Sequence, residues 1–300
     1  MSIRPCVLLN PAAGRGSARK KLEALKPSLA DLGVEHFFET RSSGDERQQA
    51  QAAIEQGFET IIVFGGDGTC SGVANAILER SPKCRLCVIP VGTGNDFAKT
   101  LGVMNLTPIQ VCELAVNGVA SRIDVGVTGG RYFVNSCGFG FDASVLEASQ
   151  RVRFLKGDAV YIYSALRQLF SYEGTDIEVG GVLGFGRQRM LMAIVSNGRF
   201  LGGAFKIAPQ ASVLDGKLDA CFLGDSNVAE RVRLFIGAMR GTHLGMRSVS
   251  AANVQHLTLT FPSKPLMEID GELRRATSPT VELTCVPRAL SVIAAPGALS

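Results

Sequence analysis

Short apolar segments in the first hundred residues alternate with helical patterns, and three of the segments end in glycine-rich turns. We predict strands at residues 6–9, 34–38, 60–64 and 86–89, and helices at residues 17–32, 44–56 and 71–79. Continuous apolar strands that alternate with helices predict a parallel sheet covered on both faces. Such open sheets bind ligands at the carboxyl ends of their strands, which is where the three turns stand.

The turn after the third strand, Gly65-Gly66-Asp67-Gly68-Thr69, carries the strongest chemical signal. Glycines let the backbone approach an anion closely, and the helix that follows offers unpaired N–H groups to phosphate oxygens. Asp67 adds negative charge where a phosphate would lie, which favours a bound cation or proton transfer. The alternative is a tight strand-to-helix turn in which Asp67 only begins the helix.

The turns after the first and fourth strands are weaker signals when taken singly. Residues 10–16 lack the Gly-Lys-Ser/Thr of a Walker loop, and Arg19 stands where the dinucleotide fingerprint has its third glycine. In residues 90–98, Asn95 and Asp96 can simply cap the helix that follows. Three such turns at successive strand ends are better explained by one phosphate-binding site than by turn formation alone.

Beyond about residue 121 the chain changes character, because glycine becomes frequent and short apolar runs pair across turns. This spacing is typical of antiparallel sheets and sandwiches. We predict strands at residues 124–127, 131–134, 191–195, 218–223, 257–261 and 290–294, with helices at residues 159–172 and 227–239. The sequence thus predicts two domains, residues 1–121 and 122–300, with a cleft between them. As an alternative, the extreme C-terminus packs back on the first domain.

Polar residues with a turn-like spacing recur in the second half, at Gly202-Gly203, Ser212, Asp215-Gly-Lys-Leu-Asp219 and Asp270-Gly-Glu272. Asp-Gly steps between strands ordinarily form hairpin turns, and this is the interpretation we favour for Asp219 and Asp270. Glu272 lies one residue beyond its turn and can instead reach the cleft as a general base.

The composition excludes several functions. No apolar run reaches the ~18 residues of a membrane-spanning helix, and residues 6–9 are too short for a signal peptide, so we expect a cytoplasmic protein. The eight scattered cysteines are expected to be reduced, and the CxxC of Cys84 and Cys87 lacks a second pair at zinc spacing. A net charge of +4 favours transient contact with an anionic membrane but is too diffuse for nucleic acid.

Taken in order, these motifs resemble those of the diacylglycerol kinase catalytic-domain family. They are Asn10-Pro-x-x-Gly14, Gly65-Gly-Asp-Gly-Thr69, Pro90-x-Gly-Thr-Gly-Asn-Asp-Phe-Ala98, Gly202-Gly203 through Asp215-Gly-x-Leu-Asp219, and Asp270-Gly-Glu272. The chain looks most like the bacterial lipid kinases, relatives of the sphingosine and ceramide kinases, over essentially its whole length. The resemblance implies an N-terminal α/β domain similar to NAD kinase and phosphofructokinase, a C-terminal β-sandwich domain, and an active site between them.

The resemblance also implies a reaction, the transfer of the γ-phosphate of ATP to a hydroxyl of a membrane lipid with the help of Mg²⁺. It assigns ATP to Asn10, Pro11, Ala12, Ala13, Gly14, Thr40, Gly65, Gly66, Asp67, Gly68, Thr69, Cys70, Ser71, Thr93, Asn95 and Asp96. It assigns Mg²⁺ to Asp215 with main-chain oxygens of Ser212 and Lys217. Glu272 matches the proton acceptor and Asp67 the catalytic or metal-organising carboxylate; which of the two takes the proton stays open.

Two other functions compete with this one. NAD kinase shares the Gly-Gly-Asp-Gly-Thr turn, but residues 10–14 and 92–98 fit lipid kinases better. A non-catalytic nucleotide- or lipid-binding module has no support, because Asp67, Asp215 and Glu272 are all present. Residue types do not name the lipid: diacylglycerol, monoacylglycerol, phosphatidylglycerol and sphingoid bases all offer hydroxyls. The oligomeric state is open, with a homodimer among the alternatives.

The segment that precedes and includes the first of the two later helices has two interpretations. Its basic and apolar residues are Arg151, Arg153, Lys156, Tyr161, Tyr163, Leu166, Leu169 and Phe170. They suit an amphipathic helix that lies peripherally on the inner face of a membrane. The alternative is a helix that covers a sheet with its apolar face.

Overall fold

The computed structural model describes residues 3–42, 44–149, 158–180 and 186–299. The chain divides into two units, one made of residues 1–124 and 287–300 and the other of residues 125–286. The chain therefore passes from one unit to the other twice.

The first unit alternates strands and helices around a parallel sheet. Its elements are β1 (Pro5–Leu9), α1 (Ser17–Asp31), β2 (Phe37–Glu39), α2 (Asp45–Glu55), β3 (Thr60–Gly65), α3 (Asp67–Arg80), β4 (Arg85–Pro90), α4 (Asp96–Thr100) and α5 (Pro108–Asn117). The strand order is β4-β3-β1-β2, and each neighbouring pair is parallel. All residues of β1 and β3 are buried, which confirms the parallel sheet predicted from their continuous apolar runs.

The second unit is dominated by antiparallel strands. The remaining elements are β5 (Ser121–Thr128), β6 (Arg131–Phe133), β7 (Ser136–Gly140), α6 (Phe141–Ser149), α7 (Asp158–Ser171), β8 (Thr175–Val179), β9 (Gly186–Ser196), β10 (Leu218–Gly224), α8 (Val228–Arg240), β11 (Val249–Val254), β12 (His256–Thr260), β13 (Leu266–Ile269), β14 (Glu272–Arg275) and β15 (Thr280–Val292). The long strand β9 pairs with β7 and β8, and also with β10.

Two apolar layers fill the second unit. One layer includes Phe139, Phe261 and Leu283, and the other contains Leu191 of β9 and Leu234 of α8. The unit is therefore a β-rich domain with helices packed on its strands. Together with the parallel sheet of the first unit, it confirms the predicted combination of an α/β domain and a β domain.

The last residues of the chain complete the first unit. At the end of β15, Ser291 and Val292 pair in parallel with the start of β4. The amide of Ala295 then donates to the carbonyl of Leu101 at 2.9 Å. The sheet of the first unit thus has a strand on the far side of β4 that comes from the end of the sequence.

Three local expectations differ from the structure. The helix predicted at residues 71–79 begins earlier, at Asp67, because the extended backbone ends at Gly66. The strand predicted at residues 34–38 is the shorter β2. Asp219 does not lie in a turn but in β10, opposite Ser196 and Asn253. The turn falls instead at Asp215 and Gly216, where Gly216 has a φ of +72°.

Among the residues that the structure describes, no helix is long and apolar enough to cross a membrane. All eight cysteines are buried free thiols.

Candidate active site

The glycine-rich turns after β1, β3 and β4 contact one another at the carboxyl edge of the parallel sheet. A Cβ atom at Gly92 would lie 2.5 Å from the Cα of Gly66, so these two turns meet backbone to backbone. A Cβ at Gly14 would clash with the carbonyl oxygen of Val91. Glycine is therefore required at these positions for the three turns to converge.

Asn10 joins the first turn to the helix that follows the second. Its Nδ2 donates to Oγ1 of Thr69 at 2.9 Å, and its Oδ1 accepts from the amide of Ala12 at 3.0 Å. The side chain therefore fixes the first turn of α3 against residues 10–12. The side chains of Asn10 and Thr69 thus hold each other in place.

Asp67 is the first residue of α3 and is half-buried. Its Oδ1 accepts a hydrogen bond from the amide of Phe97 in α4 at 3.2 Å. One carboxylate therefore lies beside the N-termini of two helices, where N–H groups and helix dipoles favour anions. A phosphate at the same edge would add further negative charge, so a cation is needed to hold both groups together.

The third turn is closed by its own asparagine. Asn95 has a φ of +51°, and its side chain exchanges two hydrogen bonds with the backbone of Gly92, at 2.9 and 2.8 Å. Asp96 is buried and pairs with Lys99 at 3.1 Å. Asn95 and Asp96 therefore shape the turn, while Thr93 at its tip is exposed.

The residues predicted to bind ATP fall into two groups by exposure. Partly or fully exposed residues are Asn10, Pro11, Ala12, Ala13, Gly14, Gly66, Asp67, Gly68, Thr93 and Asn95; buried residues are Thr40, Gly65, Thr69, Cys70, Ser71 and Asp96. The amide of Thr40 donates to the carbonyl of Leu9 at 2.9 Å, which fixes Thr40 beside the end of β1. Ser71 is fully buried within α3. For all of these residues a contact with ATP stays a prediction.

In the second unit, Glu272 begins β14 directly after a two-residue turn. Asp270 and Gly271 form this turn with φ values of +47° and +86°, and Ile269 pairs with Glu272 across it. Positive φ at both central positions defines the tight hairpin expected of an Asp-Gly step. The hairpin interpretation of Asp270 is therefore confirmed, and the turn presents Glu272 at the base of the strand.

The carboxylate of Asp270 anchors this hairpin to the adjacent chain. It accepts the amides of Val134, Asn135 and Ser136 at 3.0, 2.8 and 3.1 Å. Three backbone donors on one buried carboxylate make a strong, charge-assisted anchor. Asp270 therefore holds the turn in place.

Glu272 is partly exposed and pairs with two arginines. The Nη2 atoms of Arg131 and Arg274 lie 2.9 and 2.8 Å from the same oxygen, Oε2. The two ion pairs fix the position of the Glu272 carboxylate and favour its charged form, in which it can accept a proton. Both arginines were missed in the sequence analysis. Arg131 is 141 positions from Glu272 along the chain, whereas Arg274 lies two residues beyond it in the same strand, a spacing that could have identified it.

The residues assigned to Mg²⁺ lie in the loop that leads into β10. The amide of Lys217 donates to Oδ1 of Asp215 at 3.0 Å. Burial and then the neighbouring charge of Asp215 raise the pKa of Asp219 to about 6. Oδ2 of Asp219 is buried and makes no hydrogen bond to the described residues. Two adjacent carboxylates, one of them incompletely bonded, form an oxygen-rich donor set that fits Mg²⁺.

Two family models together match most of the chain. The family model for the diacylglycerol kinase catalytic domain matches residues 4–128, and the model for the YegS C-terminal NAD kinase beta sandwich-like domain matches residues 135–294. The chain is 30% identical to a diacylglycerol kinase of Bacillus subtilis (strain 168) over 273 residues, which cover 90% of this chain and 89% of that protein.

Other relatives agree with this match. A diacylglycerol kinase of Staphylococcus aureus (strain bovine RF122 / ET3-1) is 26% identical over 91% of this chain and 87% of its own. The crystal structure of a diacylglycerol kinase from Bacillus anthracis str. Sterne superposes with a TM-score of 0.74 at 20% identity, covering 100% of this chain and 99% of that one. The structural likeness supports the fold.

Proposed function

Because this chain belongs to the diacylglycerol kinase family, it is an ATP-dependent lipid kinase, and we propose that its acceptor is the free hydroxyl of diacylglycerol or a closely related lipid. The observation that carries the proposal is the convergence of three glycine turns at one sheet edge, with Asp67 beside two helix N-termini. The choice of diacylglycerol as acceptor is supported by the relatives from Bacillus subtilis and Staphylococcus aureus, which are diacylglycerol kinases.

Phosphoryl transfer suits this arrangement, because it requires alignment and charge stabilisation more than covalent participation by the protein. We propose that residues 10–14, 65–71 and 92–96 bind the phosphates of ATP through backbone N–H groups. Asp67 would orient the cation that accompanies them. When bound, Mg²⁺ supplies positive charge against the phosphates. In the second unit, we expect Asp215 and the main-chain oxygens of Ser212 and Lys217 to hold a Mg²⁺, with Asp219 close by.

The lipid hydroxyl must lose its proton as the new bond forms. We propose that Glu272 receives this proton, supported by its position at a rigid hairpin and its partial exposure, while Arg131 and Arg274 hold its Oε2 in place. A positioned carboxylate base contributes ~10²- to 10⁴-fold to such a reaction.

The decisive experiment is transfer of ³²P from γ-labelled ATP, with Mg²⁺, to a lipid panel in mixed micelles. The panel contains diacylglycerol, monoacylglycerol, phosphatidylglycerol and a sphingoid base, and NAD⁺ is tested in parallel. We expect labelled diacylglycerol, which disappears when Asp67 is replaced by alanine. Label on NAD⁺ alone, or on no lipid, would contradict the proposal.

An apolar pocket in the second unit supports an acylated acceptor. Its walls include Leu169 of α7, Met192 of β9, Phe205, and Leu234 and Ala238 of α8. Apolar side chains bind hydrocarbon because its burial removes apolar surface from water. We propose that this pocket receives part of an acyl chain.

Narrowing the pocket is expected to weaken lipid binding selectively. Ala238→Leu adds apolar volume to the pocket wall, so the KM for diacylglycerol should rise about tenfold, the equivalent of ~1.4 kcal/mol, while the KM for ATP is unchanged. The matched control is Ala251→Leu, at an exposed position of β11 outside the pocket and outside α7 and α8. Kinetics in mixed micelles, with both unfolding midpoints recorded, check the prediction. Equal lipid KM values in the two variants would refute the acyl pocket.

We propose peripheral membrane contact through α7 and α8. Exposed apolar side chains on these helices are Tyr163, Leu166, Phe170, Ile236 and Met239; Arg167, Arg233 and Arg240 are exposed beside them. This combination suits an anionic lipid surface. The expected role of Arg151, Arg153 and Lys156 lies outside the described residues. Leu169, also expected at the membrane, is instead buried. A homodimer stays a prediction.

Charge placed on the exposed face of α7 should weaken vesicle binding. Phe170 is 66% exposed, and burying an aromatic ring in lipid is worth ~1.5–3 kcal/mol. We therefore expect Phe170→Glu to lower partitioning onto phosphatidylglycerol vesicles at least tenfold in a sedimentation assay. Val119→Glu is the control, because Val119 is an apolar residue 90% exposed elsewhere in the chain. Equal vesicle binding by both variants would show that α7 does not contact the membrane.

A further inference from the structure

A second carboxyl group lies behind the hairpin that carries Glu272. Glu268 is in β13, only 3% exposed, and its Oε1 accepts a hydrogen bond from the amide of Gly271 in the turn. The side chain therefore spans the hairpin from the inside. It supports the turn at the residue immediately before Glu272.

The other neighbour of Glu268 is Asp142, at the start of α6. Asp142 is 1% exposed, and its carboxyl group is close enough to that of Glu268 to raise the pKa of Glu268. Oδ2 of Asp142 and Oε2 of Glu268 are both buried. Gly138 lies opposite Glu268 in the sheet, and a Cβ at Gly138 would clash with Oδ2 of Asp142. The absence of a side chain at Gly138 thus makes the space in which the two carboxyl groups meet.

Two carboxyl groups can hydrogen-bond only if one of them carries a proton. Burial, reinforced by the charge of Asp142, holds the pKa of Glu268 well above its ordinary value. The titratable and charged groups on the elements around Glu268 are Asp142 on α6, Cys137 on β7, Asp270 in the turn, and Glu272 and Arg274 on β14. The acids Asp142 and Asp270 both oppose ionisation of Glu268.

Asp142 also connects this pair to the apolar pocket. Its side chain lines the pocket together with Phe141, and α6 packs on both β13 and β14. The same carboxyl pair therefore contacts the pocket wall on one side and the turn before Glu272 on the other. Neither Glu268 nor Asp142 belongs to a motif of the sequence.

We propose that Asp142 and Glu268 form a positioning pair that shares one proton and holds the hairpin so that Glu272 faces the lipid hydroxyl. The pair does not touch the reacting atoms and acts through the Gly271 amide. This inference rests on the proposed role of Glu272. A shift of about 1 Å in a reacting group can lower a rate ~10²-fold, so the pair has a measurable effect.

The experiment compares Glu268→Gln with Glu268→Ala. Glutamine still accepts the Gly271 amide and donates to Asp142, as a protonated glutamate does, whereas alanine does neither. At pH 7 we expect kcat of Glu268→Gln to stay within about twofold of the wild type. We expect Glu268→Ala to lose ~10- to 100-fold in kcat with little change in the KM for ATP. Glu178→Gln, on the exposed side of β8, is the control.

The pH dependence separates positioning from a general loss of stability. As pH rises through the raised pKa of Glu268, the wild-type pair acquires two like charges and its contribution to stability is lost. The wild-type kcat should therefore fall as pH rises through that raised pKa, and the unfolding midpoint should fall from the ordinary glutamate pKa of about 4.5 upward until the raised pKa is passed. Glu268→Gln should lack that fall, whereas Asp142→Asn, which leaves the buried Glu268 to titrate, should move it to lower pH. Superimposable pH profiles for the wild type and Glu268→Gln would overturn the proposal.

Hydrogen exchange tests the pair without using activity. In the peptide that spans residues 266–275, Glu268→Ala should speed exchange of the Gly271 amide at least tenfold, whereas Glu268→Gln should leave it protected. Equal exchange in all three proteins would overturn the proposal. If Glu272→Gln keeps the wild-type kcat, the proposed role of Glu272 fails instead, and exchange still decides whether the pair holds the hairpin.

Discussion

Replacing Asp67 with asparagine should lower kcat by ~10²- to 10³-fold, the range seen when preorganised electrostatic stabilisation is lost. Asparagine keeps an oxygen that can accept the amide of Phe97, so the bond between α3 and α4 survives. Only the negative charge disappears. If Asp67 orients the cation at the phosphates, the reaction depends on the negative charge of this carboxylate. The rate then falls although the fold is intact.

The control for this variant is Asp45→Asn. Asp45 is the first residue of α2, and its Oδ2 accepts the amide of Arg41 at 2.8 Å, so it repeats the local chemistry of Asp67 away from the glycine turns. Both variants should unfold within about 2 °C of the wild type, since each keeps its backbone hydrogen bond. Initial rates at several Mg²⁺ concentrations provide the measurement. If the Asp67→Asn enzyme has the same kcat as the Asp45→Asn control, Asp67 only caps a helix.

Replacing Glu272 with glutamine should lower kcat by ~10²- to 10⁴-fold, the contribution expected of a general base. The amide has almost the same shape, but it cannot take the proton from the lipid hydroxyl. The KM for ATP should stay unchanged, because the residues predicted to bind ATP belong to the first unit. Steady-state kinetics with diacylglycerol and ATP varied separately measure both effects.

Magnesium titration distinguishes the two carboxylates. The defect of Asp67→Asn should change with Mg²⁺ concentration if Asp67 acts through the cation, whereas the defect of Glu272→Gln should not. Glu282→Gln, an exposed glutamate on β15, controls for the loss of a strand carboxylate. If Glu272→Gln retains at least a third of the wild-type kcat, Glu272 is not the proton acceptor, and Asp67 becomes the better candidate.

The sequence predicts the parallel sheet and its glycine turns well, because these depend on local patterns. Continuous apolar runs identify β1, β3 and β4, and a glycine within five residues of the end of each run, at Gly14, Gly65 and Gly92, identifies the turns. The contact between Gly66 and Gly92 was not predictable in the same way, since it requires knowing that β3 and β4 are neighbours. Local sequence therefore located the turns, but strand order determines that they meet.

The second unit was harder to predict, and the reason is visible in particular residues. Residues 136–140 read Ser-Cys-Gly-Phe-Gly, so a buried strand, β7, has the composition of a loop. Asp219 lies in a strand although its neighbours resemble a turn. Glu268 is a glutamate in the core, and such burial depends on a partner, Asp142, that is 126 positions away along the chain. No residue pattern reports a pairing of this kind.

The strand contributed by the end of the chain has a consequence for synthesis on the ribosome. The strands β1, β3 and β4 leave the ribosome early. The second neighbour of β4 in the sheet arrives only when residues 291 and 292 have been made. The edge of β4 stays open until then. The first unit is therefore among the first parts to be translated and among the last to be finished, so a chain that stops before residue 291 exposes an unpaired strand edge to other chains.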